Sequence, residues 1–410
     1  KMHGRKRAEY KHRFQDPQVA QALAQKAQQW HALNQKALQE CRDEDGGNDQ
    51  GGKTLSLLDK MLRVNPDPLH LWNHRRELLL KNNNETSSSW NLPTELALTA
   101  AALEKNPKAY GAWFHRKWSL QQQEQNTAGD LSQVLPNELN LTEQFLDRDE
   151  RNFHCWNYRR FLVGLELGQE ASGSWSSGGG SEENGALVVI GPQMTAATST
   201  TTSDNYSNKQ KTQHVDRRAI LQREWNFTQT KIVQNFSNFS AFHYRSKLLL
   251  LADNITTATS GSGGWNPAEN KDQPMVQTIG EQEWSLMENI MFTEPDDQTI
   301  WWYHRFVVDW VSQQTIIVGK EQQGSKEWYC SWLEKQAETL QVLVEEDDSE
   351  SGCKWGLLGW HLVLSRLVSS VVATEMSDNV KDWREKAESI LDQLVKLDPD
   401  RKQRYIMMKQ

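Results

Sequence analysis

The sequence predicts an all-α fold: a superhelical crescent, or solenoid, of antiparallel helical-hairpin repeats. Three observations carry this prediction. A short pattern of an aromatic residue, any residue, His or Tyr, and then Arg returns along the chain. A pair such as Asn-Pro stands six residues before several of these aromatic residues, and amphipathic runs with helical spacing lie on both sides of it. Because one hairpin cannot bury its apolar face alone, such repeats stack on their neighbours.

The aromatic residue that opens each copy is the natural core anchor, because one Trp buries roughly 150–250 Å² of surface. The first two anchors are 41 residues apart and the third follows 43 residues later. The five copies are Trp72-Asn73-His74-Arg75, Trp113-Phe114-His115-Arg116, Trp156-Asn157-Tyr158-Arg159, Phe242-His243-Tyr244-Arg245 and Trp302-Tyr303-His304-Arg305. We therefore predict that Trp72, Trp113, Trp156, Phe242 and Trp302 are core residues.

The fifth copy allows two registers. Its Arg spacing selects Trp302 as the anchor, whereas the six-residue spacing from Glu294-Pro295 selects Trp301. Trp355 is a candidate anchor for a sixth, degenerate copy.

Capping residues and prolines predict where the helices begin and end. Asp16-Pro17 is a cap with Pro at the first helical position, and it opens a leading helix at 16–42. Each Asn-Pro pair ends one helix and opens the next, because Pro is tolerated near helix starts and breaks helix interiors. The predicted hairpins cover 53–82, 94–122, 137–166, 214–251 and 281–313, and final helices cover 326–408.

Three inserts lack the apolar residues needed to offset the entropy of ordering, so they are predicted to be disordered loops. They lie at about 168–213, 253–279 and 344–352, and they are rich in Gly, Ser and Thr or in acidic residues.

Composition excludes several classes of protein. The net charge of −8 argues against general nucleic-acid binding, and no apolar run is long enough for a membrane span. The basic start lacks the apolar stretch of a secretory signal, which predicts a cytoplasmic protein. The four Cys include no C-x-x-C pair, and His70 and His74 have Leu71 where a zincin needs Glu. We therefore expect no metal on this chain.

Two of the copies resemble a known family. The stretches from Asn106 to Arg116 and from Asp149 to Phe161 are similar to the alpha-subunit repeat of protein prenyltransferases. With the start Met2-His3-Gly4-Arg5, the chain most resembles alpha subunits of Rab geranylgeranyltransferase. This resemblance covers about 1–165 strongly, 215–310 moderately and 380–410 weakly.

The resemblance implies a subunit of a heterodimeric enzyme. The alpha subunit would wrap a beta subunit, which holds a zinc ion and most of the isoprenoid pocket. The enzyme would transfer geranylgeranyl from geranylgeranyl diphosphate to C-terminal cysteines of Rab GTPases presented by Rab escort protein. No cofactor is then expected on this chain itself.

The resemblance also implies site residues. Lys108 matches a family Lys near the isoprenoid diphosphate and is the expected catalytic residue, while Tyr110, Asn152 and Phe153 are expected to bind substrate. Negative charge grows on a diphosphate as the carbon–oxygen bond breaks, and a fixed cation stabilises that transition state. The competing interpretation is that Lys108 is an ordinary solvated Lys in a turn.

The His/Tyr-Arg pairs have two interpretations. They could line one surface and contact the beta subunit, or each Arg could bond the neighbouring helix of its own repeat. The residues expected at the beta-subunit interface are His74, Arg75, His115, Arg116, Tyr158, Arg159, His243, Tyr244, Arg245, His304 and Arg305.

Two alternative functions remain open from the sequence. One is the alpha subunit shared by farnesyltransferase and geranylgeranyltransferase I, whose N-terminal region is typically long and Pro-rich, whereas residues 1–50 here hold one Pro. The other is a non-catalytic scaffold of tetratricopeptide type, whose repeat period of about 34 residues is shorter than the period here.

Overall fold

The computed structural model describes residues 17–40, 50–82, 91–127, 131–167, 217–256, 274–318, 325–347, 352–370 and 378–409. Within these ranges the chain is helical and contains no β-strand. The predicted all-α class and its architecture of repeated hairpins are confirmed. No helix in the described ranges is both long and apolar enough to cross a membrane.

The chain divides into two compact units, residues 1–162 and 163–410, with the division inside α7. The first unit contains a leading helix and three hairpins. Its helices are α1 (Pro17–Glu40), α2 (Gln50–Val64), α3 (Leu69–Asn82), α4 (Leu92–Lys105), α5 (Tyr110–Thr127), α6 (Leu135–Arg148) and α7 (Phe153–Glu166).

The second unit contains two hairpins of the same kind, a third pair of helices and a closing helical segment. Its helices are α8 (Arg217–Gln234), α9 (Phe239–Thr256), α10 (Met275–Thr293), α11 (Gln298–Val318), α12 (Ser325–Glu345), α13 (Lys354–Ser370), α14 (Asp378–Leu397), a 3₁₀ turn (Pro399–Arg401) and α15 (Lys402–Met408).

Each unit is built as two layers. In most hairpins the two helices pack on each other, and several helices also pack on their counterpart in the next hairpin. In the first unit α2 packs on α4 and α3 packs on α5, while in the second α10 packs on α12 and α11 packs on α13. First helices and second helices therefore form separate layers, with the core between them.

The five hairpin turns are all four residues long, and most open with the same local motif. In four of them the side chain of the first residue accepts a hydrogen bond from the backbone N–H two residues later. These residues are Asn65, Asn106, Asp149 and Asn235, with a donor–acceptor distance of 3.0 Å at Asn106 and 2.9 Å at Asn235. This Asx turn explains why Asn or Asp opens these connections.

The six-residue spacing between turn and anchor has a direct physical cause. The indole N–H of Trp72, Trp113 and Trp156 donates to the carbonyl oxygen of the residue six positions earlier, at 2.7–2.8 Å. Each ring is thereby tied to the second residue of its own turn. These three indoles and the ring of Phe242 are buried, as predicted.

The fifth anchor is Trp301, so the prediction of Trp302 was wrong. The indole of Trp301 donates to the carbonyl of Pro295 at 2.7 Å, and its side chain is 6% exposed, against 37% for Trp302. The six-residue spacing from the turn therefore identifies the anchor correctly, whereas the spacing between the Arg residues does not. As a result Tyr303 and His304, rather than His304 and Arg305, occupy the positions of the His/Tyr-Arg pair.

Three predicted boundaries, which belong to two of the inserts, were also wrong. Helix α9 continues to Thr256 and α10 begins at Met275, so both ends of the insert at 253–279 are helical. Helix α12 continues to Glu345, past the predicted start of the insert at 344–352. Apolar positions of the flanking helices extend into these stretches, which the composition obscured. The insert at 168–213 lies outside the described residues, as do residues 257–273 and 348–351 of the other two.

We expect Gly111→Ala to destabilise the first unit by about 1–3 kcal/mol, as overpacking of a core does. A Cβ on Gly111 would meet Cδ1 of the Trp72 ring and would lie 2.9 Å from its Nε1. Denaturant unfolding of the full chain measures the effect.

Gly52→Ala in α2 is the matched control, because nothing lies within 4 Å of the added carbon. There a gain of about 1 kcal/mol is expected from helix propensity. Equal stability changes in the two variants would contradict the close approach of α5 to Trp72.

Candidate functional site

Three Arg residues of the repeated motif, Arg75, Arg116 and Arg245, are buried and form ion pairs with a Glu of the following hairpin. Each pair joins the second helix of one hairpin to the first helix of the next. In Arg116 both Nε and Nη2 donate to Glu138 at 2.6 Å. The same two-pronged contact joins Arg75 to Glu95 and Arg245 to Glu283, at 2.6–2.9 Å.

The His or Tyr of the motif completes this arrangement. It donates to the Glu of its own hairpin, twenty residues earlier in the chain. The pairs are His115 with Glu95, Tyr158 with Glu138, Tyr244 with Glu224 and Tyr303 with Glu283, at 2.6–3.2 Å. Glu95, Glu138 and Glu283 are therefore each held by the Arg of the preceding hairpin and by the ring of their own. Buried polar networks of this kind specify how neighbours pack.

Each Arg also contacts the first helix of its own hairpin. Nη1 of Arg116 donates to the carbonyl of Leu96 and to Oγ1 of Thr99, both at 2.7 Å. Arg245 makes the corresponding contacts with Trp225 and Thr228 at 3.1–3.2 Å. The interpretation that each Arg bonds its own repeat's neighbouring helix therefore agrees with the geometry.

These contacts correct most of the predicted beta-subunit interface. A side chain enclosed between helices presents no surface to another chain. The enclosed residues are His74, Arg75, His115, Arg116, Tyr158, Arg159, Tyr244, Arg245 and His304. His243 is half-buried and Arg305 is exposed, so for these two residues the interface role stays a prediction.

The buried network sets the ionisation of its members. Burial by itself would raise the pKa of Glu95, but hydrogen bonds from His115 and Arg75 outweigh it and lower the pKa to about 2. Burial lowers the pKa of His115 to about 4 despite the neighbouring carboxylate. Burial also lowers the pKa of His304 to about 4, and its partner is the neutral amide of Gln336 at 2.9 Å.

A different set of side chains points outward from the second helices. It consists of residues three before, one after and four after each anchor, and we call it the second-helix face. Its aromatic members are Tyr110, Phe114, Phe153, Phe239 and Trp302, all exposed. Four hairpins place a cation four residues after the anchor: Arg76, Lys117, Arg160 and Arg305.

In the first unit three of the four predicted site residues lie on or beside this face. The Lys108 side chain is 47% exposed, and its Nζ lies 3.0 Å from Oδ2 of Asp149. The ring of Tyr110 contacts those of Phe114 and His154, at centroid distances of 6.3 and 5.9 Å. The exposed ring of Phe153 lies 3.9 Å from that of His154. The structure thus brings Lys108, Tyr110 and Phe153 to one exposed area.

Asn152 does not join them, and its prediction as a substrate-binding residue is corrected. Its side chain is buried. The amide donates to the carbonyl of Pro107 at 2.9 Å, and the side-chain oxygen accepts from the backbone N–H of Cys155 at 3.3 Å. Asn152 therefore caps α7 and ties two adjacent turns together, which leaves its polar atoms engaged inside the protein.

Three cationic or titratable side chains of this area, those of His154, Lys117 and Arg160, were not predicted from the sequence. Burial lowers the pKa of His154, and the positive charges of Lys117 and Lys108 lower it further. Burial and the nearby Arg160 lower the pKa of Lys117 to about 8. Nζ of Lys117 lies 5.6 Å from the centroid of the Phe161 ring. The spacing of Lys117 and Arg160, four residues after an anchor, was the signal that could have found them.

The arrangement suits an anion with an apolar part. Exposed rings supply apolar surface, and Lys108, Lys117 and Arg160 supply positive charge on a chain whose net charge is −8. Among the described residues no group of three or more His, Cys, Asp or Glu side chains is placed to hold a metal ion.

Three stretches of the chain match a family model described as the protein prenyltransferase alpha subunit repeat: residues 92–123, 135–165 and 221–252. They coincide with the hairpins α4–α5, α6–α7 and α8–α9. Each match thus contains one first helix, one four-residue turn and one second helix with its anchor.

Two similar proteins are both named geranylgeranyl transferase type-2 subunit alpha. That of Rattus norvegicus is 30% identical over 313 residues, which are 75% of this chain and 42% of the relative. That of Schizosaccharomyces pombe is 27% identical over 187 residues, 46% of this chain and 49% of the relative. The chain thus spans about half or less of the length of these relatives.

A solved structure shares the fold. It is described as Candida albicans protein geranylgeranyltransferase-I complexed with GGPP, and one of its chains matches with a TM-score of 0.53 at 15% identity. The match covers 93% of this chain and 90% of the other.

The resemblance seen in the sequence is confirmed, and the chain carries the repeats of the protein prenyltransferase alpha subunit family.

Proposed function

We propose that this protein is the alpha subunit of a heterodimeric Rab geranylgeranyltransferase. In this proposal the heterodimer transfers geranylgeranyl from geranylgeranyl diphosphate to C-terminal cysteines of Rab GTPases presented by Rab escort protein. The protein works in the cytoplasm, and the beta subunit holds the zinc ion that activates the cysteine as a thiolate. Support comes from the family repeats and from relatives named as type-2 alpha subunits.

The observation that carries the proposal is the position of Lys108. It sits in the turn before α5, half-exposed, next to the rings of Tyr110 and Phe153 and to the cations of the second-helix face. When the thiolate attacks the prenyl carbon, the carbon–oxygen bond breaks and the diphosphate leaves with the electron pair. An ammonium group near the leaving oxygen stabilises the transition state more than the ground state.

Asp149 gives Lys108 a resting partner at 3.0 Å. This pair is largely solvated, so it is worth no more than about 1 kcal/mol. A diphosphate carries more negative charge than a single carboxylate and can replace Asp149 at low energetic cost. The side chain of Lys108 can then turn toward the ligand on its flexible stem.

The second-helix face replaces the buried Arg residues as the surface for the beta subunit. Its exposed aromatic side chains are of the type enriched in protein interfaces. Within each unit, the exposed rings provide apolar surface that another molecule can cover. His243 and Arg305 remain in the proposed interface, because both lie on this face.

The proposal is tested by co-expressing the chain with a candidate beta subunit. Prenyl transfer is then measured on an escort-bound Rab and, separately, on a peptide with a C-terminal CaaX sequence. Transfer to the Rab that requires the escort protein supports the proposal. Transfer to the CaaX peptide alone identifies the alpha subunit of geranylgeranyltransferase I or farnesyltransferase, and no partner and no transfer identifies a scaffold.

We expect Lys108→Ala to lower the single-turnover rate of the assembled enzyme roughly 100–1,000-fold, in the range found when one transition-state charge contact is lost. Heterodimer assembly should be unaffected, because the substitution removes no buried contact. Rapid-quench measurement of transfer from geranylgeranyl diphosphate gives the rate.

Lys105→Ala is the matched control, since Lys105 is an exposed cation at the end of α4 in the same connection. It should keep the original rate. An unchanged rate for Lys108→Ala in the intact heterodimer would remove Lys108 from the mechanism, while the function itself would still be decided by the substrate comparison.

A further inference from the structure

Two cations of the second-helix face in the first unit lie over aromatic rings of the next hairpin. Arg76 on α3 lies over Phe114 on α5, with 4.7 Å between Cζ and the ring centroid. Lys117 on α5 lies over Phe161 on α7, with 5.6 Å between Nζ and the centroid. A cation–π contact of this kind orients each charge but does not neutralise it.

Neither cation has an acidic partner in the part of the chain that the structure describes. No Asp or Glu there forms an ion pair with Arg76 or Lys117. Glu77, the next residue after Arg76, is 69% exposed and lies 3.7 Å from Nδ1 of His74 instead. In Arg76, Nη2 donates to Oδ1 of Asn73, whereas Nη1 is buried and has no hydrogen-bond partner among the described residues. This buried donor is open to an acceptor from another molecule.

The surroundings already disfavour both positive charges. Burial lowers the pKa of Arg76, and the negative charge of Glu77 offsets this only in part. Burial and the positive charge of Arg160 lower the pKa of Lys117 to about 8. A second titratable neighbour of Lys117 is His154 on α7, which carries no negative charge in either protonation state. Both cations therefore need a negative charge that the described part of their own chain does not supply.

A beta subunit that covers this face removes the remaining water from both cations. A charge that is buried without a partner is strongly destabilising. Arg stays protonated in proteins, so Arg76 cannot avoid this cost by losing its proton. Lys117 lies seven residues after Tyr110, or roughly 10 Å along α5, and Arg76 belongs to another hairpin. One diphosphate at Lys108 therefore cannot neutralise both cations, and the negative charge must come from the covering surface.

We propose, building on the function proposed above, that the beta subunit places Asp or Glu side chains against Arg76 and Lys117. The guanidinium of Arg76 presents a fork of N–H donors to one carboxylate, which satisfies its buried Nη1. The ammonium of Lys117 pairs with a second carboxylate over the ring of Phe161. A similar beta subunit that lacks these carboxylates is rejected, because its binding would leave two cations buried and unpaired. The two cations thereby select the partner.

Competition for the beta subunit of the assembled heterodimer tests the proposal. A variant competes with a tagged copy of the original chain, and the ratio of the two heterodimers gives the relative dissociation constant. Geranylgeranyl diphosphate is left out, so that no phosphate can replace the carboxylates. Arg76→Met and Lys117→Met should each raise the dissociation constant roughly 30-fold or more, because each leaves a partner carboxylate buried and unpaired.

Two further variants serve as controls. Lys60→Met should leave the dissociation constant unchanged, because Lys60 is an exposed cation on α2, in the layer of first helices. Lys117→Arg keeps the positive charge and should bind far more tightly than Lys117→Met. Equal losses in the two Lys117 variants would show that shape rather than charge matters, and would overturn the proposal. Circular dichroism confirms that each variant keeps its helices.

Carbodiimide cross-linking of the original heterodimer tests direct contact, because it joins an amine to a carboxylate that touches it. Mass spectrometry should find Lys117 linked to an Asp or Glu of the beta subunit. Unchanged binding of both folded Met variants, or no cross-link at Lys117, would overturn this inference, while an active heterodimer would still support the proposed function. Failure of the original chain to assemble with the beta subunit would overturn the proposed function and this inference together.

Discussion

Replacing Glu138 with Ala is expected to lower the free energy of unfolding of the first unit by about 3–5 kcal/mol. This is the range expected when one partner of a buried ion pair is removed. Glu138 is 3% exposed, and it accepts from Arg116 and from the hydroxyl of Tyr158. The substitution leaves the guanidinium of Arg116 enclosed without its carboxylate. Urea unfolding of the full chain, with hydrogen exchange of α5 to α7, measures the loss.

Glu104→Ala is the matched control for this prediction. Glu104 also pairs with an Arg of another helix, Arg148, at 2.7 Å, but both side chains are more than half exposed. Removal of that pair should cost no more than about 1 kcal/mol, because water solvates both charges. Losses of equal size at Glu138 and Glu104 would show that burial of the repeat network has little energetic weight.

The second large effect is a loss of stability in mild acid. Burial lowers the pKa of His115 and of His304 to about 4 in the folded state, below the ordinary value of 6.5. Between these values the unfolded chain binds protons that the folded chain does not, so stability falls as the pH drops from about 6.5 to about 4. The loss is on the order of 3 kcal/mol per imidazole.

Glu95 adds a second window at lower pH. Its pKa is lowered to about 2 in the folded state from an ordinary value of 4.5, so its contribution is present above that ordinary value. It is lost as the pH falls toward 2, since the protonated carboxyl no longer pairs with Arg75. The two windows meet near pH 4, which predicts a continuous decline of stability from about pH 6.5 downward.

Unfolding by urea at a series of pH values measures this dependence. His115→Gln provides the control, because an amide can still donate to Glu95 but does not titrate. In this variant the free energy of unfolding should fall less steeply between pH 6.5 and 4, because one of the two imidazoles no longer titrates. A stability that stays flat over this interval in the original chain would show that both imidazoles are solvated in the folded state.

The placement of the candidate site could be predicted only in part from the sequence. Lys108, Tyr110 and Phe153 were found from the resemblance, and the structure places all three on the outside of the first unit. Asn152 was predicted from the same resemblance, yet its side chain turns inward and caps α7. Lys117 and Arg160 were missed, because a cation on a helix is usually only a solvated side chain.

The fifth hairpin shows how a local pattern can mislead. The residues Trp-Tyr-His-Arg from Trp302 to Arg305 match the repeated motif. The match begins one residue after Trp301, which is the anchor in the structure. The turn decides the matter, since the indole of Trp301 reaches the carbonyl of Pro295. A shift of one residue on a helix rotates a side chain by about a quarter turn, and Arg305 therefore points outward.

The sequence by itself determined the all-α class, the hairpin repeat and four of the five anchors. The physical reason is that helix periodicity, turn chemistry and Trp spacing all act over a few residues along the chain. Only the tertiary structure decided that the repeated Arg residues are interior. Their carboxylate partners, Glu95, Glu138 and Glu283, belong to the next hairpin and follow them at a variable distance of 20–38 residues, because the connections between hairpins differ in length. Burial of these ion pairs arises when hairpins stack, and that in turn left the outward aromatic and cationic side chains as the surface available to a partner.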